Sequence, residues 1–112
     1  MPDCLFCGMI EKKVKAKIEF ENEDTLAIHD IRPQAPVHIL VIPKKHIEKI
    51  SDLTEKDVPL MGRLIDQARQ IAAKRGWADY RFVFNNGPLA GQTISHIHLH
   101  LLSGRPMAWP PG

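Results

Sequence analysis

Apolar residues recur along this chain with two different periods, and the changes between them mark its elements. Ile18 and Phe20 alternate with charged neighbours in 17–21, the polar group Asn22, Glu23, Asp24 follows, and 25–29 is extended again, which predicts a β-hairpin. Residues 30–36 carry two prolines and no periodicity and read as a loop; 37–42 then reads as a buried strand ended by Pro43. Over 57–75 the period changes. Leu60, Met61, Leu64, Ile65, Ala68, Ile71 and Ala72 fall three and four apart, the stripe of an amphipathic helix. Thr54 or Asp57 can cap its start, Pro59 is tolerable only in its first turn, and Lys74, Arg75 and Gly76 suit its end. Residues 81–85 form a fourth strand, and 94–102 a fifth with strict alternation. A short helical turn over 4–9 completes the pattern. Five strands, one long helix and hairpin-type connections predict an α+β domain with a mainly antiparallel sheet, occupying 1–112 as one unit.

Composition narrows the classes. The 112 residues are 44% hydrophobic and 25% charged, which is ordinary globular usage. The longest apolar run, Ile39 to Ile42, is far short of the roughly 20 residues of a membrane span. No basic region followed by an apolar stretch opens the chain, so a cytoplasmic, unexported protein is expected. Fifteen Lys and Arg against thirteen Asp and Glu leave a net charge of +2. The short basic clusters, Lys12, Lys13, Lys15, Lys17 and Lys44, Lys45, read as solvated faces, so nucleic acid is not the expected partner.

The fifth strand carries the chemistry. His96, His98 and His100 alternate with Ile97, Leu99 and Leu101, so on an extended chain the imidazoles share one face, about 6 to 7 Å apart along the backbone. Clustered imidazoles that titrate near neutrality suit proton transfer or nucleophilic attack. Just before them, Gly87 and Gly91 permit close approach of backbone N–H groups to an anion, and Asn85, Gln92 and Thr93 add neutral donors. The segment lacks the Gly-Lys-Ser run of a Walker loop, and no group of carboxylates offers a Mg²⁺ site. Cys4 and Cys7, too few for a disulfide framework, raise either a metal or a redox reading; a redox pair is usually set in a βαβ context, which this chain does not offer.

The run His96-Ile97-His98-Leu99-His100-Leu101-Leu102 resembles the motif of the histidine triad (HIT) proteins. The likeness extends through Asp30-Ile31-Arg32-Pro33-Gln34-Ala35-Pro36, His38, Val41-Ile42-Pro43-Lys44-Lys45-His46, Gly91-Gln92 and the ending Trp109-Pro110-Pro111-Gly112, and is nearest the nucleotide-binding Hint branch. The resemblance implies a HIT-like fold and hydrolysis of purine nucleoside 5′-phosphoramidates, lysyl adenylates included, through a nucleotidyl-histidine on His98. It further implies that His100, His38 and Thr93 assist and that Asp30 accepts the ribose hydroxyls. Asn85, Gly91, Gln92, Thr93, His98 and His100 would surround the phosphate, with Phe6, Ile10, Ile28, Ile31 and Leu40 around the purine. Trp109 would reach a partner's site in a homodimer. Cys4, Cys7, His46 and His96 match the ligand set of a structural Zn²⁺ in bacterial members, and no organic cofactor is implied. A nucleotide-binding regulatory adaptor and a diadenosine polyphosphate hydrolase are the alternatives that the same resemblance allows.

Overall fold

The computed structural model describes residues 3–111, so the expectation for Gly112 lies outside it. Its sheet has five strands: β1 (Ile18–Glu21), β2 (Thr25–His29), β3 (Val37–Pro43), β4 (Tyr80–Val83) and β5 (Leu99–Ser103), in the order β1-β2-β3-β5-β4 with every pairing antiparallel. A short helix α1 (Leu5–Ile10) precedes the sheet and the long helix α2 (Val58–Arg75) lies between β3 and β4. The α+β architecture expected from the hydrophobic periods is the one found. Among the described residues no helix is long and apolar enough to cross a membrane.

The alternation of β3 and β5 divides the core in two. Ile39, Val41, Leu99 and Leu101 point to the α2 side and bury with Leu64, Ala68 and Ile71 of the helix. Leu40 and Ile42 point the other way, with Leu26 and Ile28 of β2, and meet Phe6 and Met9 of α1. The helix entry is fixed by Thr54 and Asp57, where the Thr54 hydroxyl donates to the Asp57 carboxylate at 3.0 Å, and Lys45 adds an ion pair at 2.7 Å. In β1 a register shift between Ile18 and Phe20 frees Glu19 from the pairing, and its carboxylate receives two Arg75 guanidinium bonds at 2.7 Å.

β5 is shorter than expected. It spans Leu99–Ser103 rather than 94–102, and the ladder with β3 closes at Val41 opposite Leu99. Two residues further along β3 stands Pro43, which has no N–H to donate, so pairing cannot continue in that direction. The chain over 94–98 bends instead, with the His96 amide bonded to Ile94 and the Ile97 amide to the Ile47 carbonyl. The alternation of side chains outlasts the ladder: Ile97 joins Leu99 and Leu101 in the α2-side core, while His96 and His98 both meet Phe6 on the α1 side.

Candidate active site

His38 of β3 and His100 of β5 share the α1-side face, because the register sets Leu40 opposite His100 and His38 opposite Leu102. Their rings meet, His38 Nε2 lying 2.9 Å from His100 Nδ1. His98 stands just before the strand with its ring centroid 4.9 Å from that of His100. His38, His98 and His100 therefore face one way in space, although His98, like His96, lies off β5.

Backbone groups decide which nitrogen of each ring carries the proton. The Gln34 amide can only donate, and it lies 3.0 Å from His38 Nδ1. A neutral His38 is thus protonated on Nε2 and donates to His100 Nδ1, which leaves the His100 proton on its own Nε2. On His98 the order is reversed. The His96 carbonyl can only accept, and it lies 2.8 Å from His98 Nδ1, so that nitrogen donates and Nε2 keeps its lone pair. The site holds a lone pair on one imidazole next to a proton on another. These orienting groups, the Gln34 amide and the His96 carbonyl, are main-chain atoms and leave no trace in residue types.

Burial favours the uncharged rings. It pushes His100 down to about 4 and lowers His98 and His38, while the Asp30 carboxylate pulls all three back upward. Asp30 Oδ1 accepts the Arg32 amide at 2.8 Å and Oδ2 is 3.4 Å from His38 Nε2, so Asp30 lies beside the relay with one oxygen turned toward it.

The loop before the triad is braced from within. Gly87 and Gly91 have φ of 92° and 99°, which side-chain-bearing residues rarely adopt, and they bracket a single turn at Pro88–Ala90. Gln92 was expected to offer its amide to a phosphate, but that amide is committed to the chain: Oε1 accepts from Gly87 N at 2.8 Å, and Nε2 donates to the carbonyls of Glu48 and Ile94. Asn85 lies beside Gly91, where a Cβ would stand 3.6 Å from its Nδ2. Thr93 is exposed and borders a cleft of about 380 Å³ shared with Cys4 and His46. Of the residues expected around a purine, Phe6, Ile28 and Leu40 are buried core, at 1%, 2% and 6% exposure; Ile10 is half-buried and Ile31 stands out at 88%. Trp109 is 84% exposed on the tail, which Arg81 straps by a bond to the Ala108 carbonyl.

Cys4, Cys7, His46 and His96 come together as a second cluster, their ligand atoms all within 4.8 Å of one another. His96 Nε2 donates to the Pro43 carbonyl at 2.7 Å, so its Nδ1 lone pair is turned inward, 3.3 Å from Cys4 Sγ and 3.0 Å from His46 Nδ1. Cys7 Sγ lies 3.2 Å from His46 Nδ1, and burial together with Cys4 raises its thiol. Two sulfurs and two inward nitrogens, one oriented by a carbonyl behind it, make a donor set that fits tetrahedral Zn²⁺. The same Pro43 that ends the β3–β5 ladder supplies that carbonyl.

Solved structures of similar proteins share this fold. Residues 3–108 match the family described as scavenger mRNA decapping enzyme C-term binding. An uncharacterized HIT-like protein of Synechocystis is 46% identical over 98% of this chain and 97% of its own. The crystal structure of a HIT family hydrolase from Legionella pneumophila superposes with a TM-score of 0.95 at 46% identity, covering 98% of this chain and all of that one. A Zn-bound histidine triad family protein from Mycobacterium smegmatis superposes at 0.80 with 32% identity, over 93% of this chain and 76% of its own. On these matches and on the triad itself, the chain belongs to the histidine triad family and has the fold of its hydrolases.

Proposed function

We propose that the protein hydrolyses purine nucleoside 5′-phosphoramidates by way of a nucleotidyl group carried on His98. The observation that carries this reading is the opposite protonation of neighbouring rings: His98 is held with a free lone pair on Nε2, next to His100 with a proton on Nε2. In the first step Nε2 attacks the α-phosphorus, a P–N bond to His98 forms, the P–N bond to the substrate amine breaks, and the amine leaves with a proton. In the second step water adds to phosphorus and gives up a proton that replaces the one taken by the amine, the bond to Nε2 breaks, and the nucleoside 5′-monophosphate is released with the imidazole restored. Dividing the displacement in two lowers each barrier, and a buried, neutral imidazole is available as nucleophile at pH 7. The His100 Nε2–H and the amides of the glycine loop suit a phosphoryl oxygen on which charge grows. Asp30, with one oxygen left over beside the relay, suits ribose hydroxyls. Thr93 is the candidate donor to the leaving amine.

Cys4, Cys7, His46 and His96 would hold the zinc ion, which when bound supplies a fixed cross-link between α1 and the sheet. A homodimer belongs to the same reading, and the two edges of the sheet support it. β1 is blunted by its bulge and by Glu19 and Glu21, whereas β4 forms the opposite edge, with Tyr80 exposed and Phe82 packed against the α2-side core, and suits pairing with a second copy. The tail of the partner would then bring its Trp109 toward the leaving group.

The test is mass spectrometry of acid-sensitive adducts after rapid quenching with adenosine 5′-phosphoramidate. An AMP adduct on His98 is expected, and His98→Asn is expected to lower turnover by on the order of 10⁴-fold or more while AMP still binds. Full turnover by the variant, or an adduct on another residue, would overturn the reading.

A further inference from the structure

The pair His38 and His100 has two self-consistent arrangements of its proton. Either His38 Nε2 donates to His100 Nδ1 across their 2.9 Å contact, or His100 Nδ1 donates to His38 Nε2. In the first, His100 keeps a proton on its own Nε2; in the second, that nitrogen bears a lone pair, which a phosphoryl oxygen repels. The Gln34 amide, 3.0 Å from His38 Nδ1, selects the first, and Asp30 Oδ2, 3.4 Å from His38 Nε2, acts in the same sense. Both selecting groups belong to the loop between β2 and β3, in which Ile31, Arg32, Pro33 and Gln34 are all exposed. We propose that Arg105, just beyond β5, is a positioning residue for this relay: its guanidinium holds the Gln34 peptide in place and so keeps the proton on His100 Nε2. This inference rests on the proposed use of that proton in phosphoryl transfer.

Inside the loop the Arg32 amide donates to Asp30 and the Gln34 side-chain amide donates to the Arg32 carbonyl, bonds that shape the loop without tying it to another element. At its ends the Asp30 amide donates to the His38 carbonyl, and Ala35 is buried. Arg105 reaches the middle from a distant part of the chain: Nε donates to the Gln34 carbonyl at 2.9 Å, and Nη1 donates to the Pro106 carbonyl at 2.9 Å. The second bond pins the planar guanidinium to its own backbone, which sets the direction in which the first is offered. Gly104 brings the arginine there. Its φ is 96°, and a Cβ at that position would stand 2.9 Å from Pro36 Cβ, so the chain leaving β5 passes hard against the loop. Further along, the Ala108 carbonyl accepts from Arg81 of β4 at 2.8 Å, so the segment that presents Arg105 is itself held.

Arg105→Met keeps the length of the side chain and removes its donors, whereas Arg105→Lys restores one donor within reach of the Gln34 carbonyl. Thermal unfolding and size-exclusion elution first show that both variants keep the fold and assembly of the parent, as an exposed position allows. With adenosine 5′-phosphoramidate, Arg105→Met should lower kcat about tenfold, since a misplacement of about 1 Å can cost 100-fold and the loop keeps its other anchors, with KM within about twofold. Arg105→Lys should recover about threefold of that loss. In parallel, ¹⁵N shifts of the His38 and His100 rings in Arg105→Met should move from Nε2–H forms toward an average with the Nδ1–H forms. Gly104→Ala, which pushes on Pro36 by a separate route, should move the same shifts. A rise in KM with kcat unchanged would make Arg105 a substrate contact and overturn the proposal. Ring shifts in Arg105→Met that match the parent would overturn it whatever the rate. If the parent chain does not turn over this substrate, the functional reading fails separately, and the ring shifts alone decide whether Arg105 sets the relay.

Discussion

At the residue scale, main-chain atoms place a lone pair on His98 and a proton on His100, and burial favours the uncharged form of both rings. Alternating His and aliphatic letters already place three rings on one side of an extended chain, and the structure keeps that arrangement even where hydrogen bonding of the strand has ended. What letters cannot carry is the direction of a main-chain amide or carbonyl, and those directions assign a lone pair to His98 and a proton to His100. The same blindness explains Gln92, whose side chain looks free in a list of residues and is fully bonded in the fold. A pH effect follows from the buried rings. His100 has an ordinary value of 6.5 and is pushed down to about 4 by burial, so as pH falls below 6.5 the unfolded chain takes up a proton that the folded chain refuses. Its stability contribution is complete above pH 6.5 and is lost between there and about 4, and His98 and His38, also lowered by burial, act with the same sign. The melting temperature is expected to fall between pH 7 and pH 4.5, and less steeply in His100→Gln; a level profile in the wild-type chain contradicts this account.

At the element scale the sequence specified the helix and hairpin nearly to the residue, since each is set by local periodicity and turn chemistry. The expected helix over 57–75 is Val58–Arg75, and the expected hairpin is β1 and β2. The fifth strand lost its first half because its length depends on a partner, and that partner ends in Pro43. Burial separates leucines that look alike in sequence. Leu99 is fully buried between β5 and α2, so Leu99→Ala should cost about 2 to 5 kcal/mol by chemical denaturation. Leu89, fully exposed on the glycine loop, should tolerate the same change within about 0.5 kcal/mol. Equal losses at the two positions would mean that the core is not where it is described.

At the scale of the whole molecule two assemblies are expected, a metal with its four ligands and a chain with its copy. Native mass spectrometry of freshly purified protein tests both at once, with paired chains carrying one zinc ion each as the expected mass. Free thiols at Cys4 and Cys7 with less than about a tenth of an equivalent of metal would exclude the zinc-bound form. A lone chain at micromolar concentration would exclude pairing through β4. The brace that Gln92 forms ties the glycine loop to the Glu48 carbonyl, in the connection between β3 and α2, so the shape of that loop is settled when the protein folds. On the proposed function a nucleotide would meet a dish already cast there: little conformational freedom would remain to be lost on capture, association should follow a single fast phase, and the loop should look alike in empty and loaded crystals.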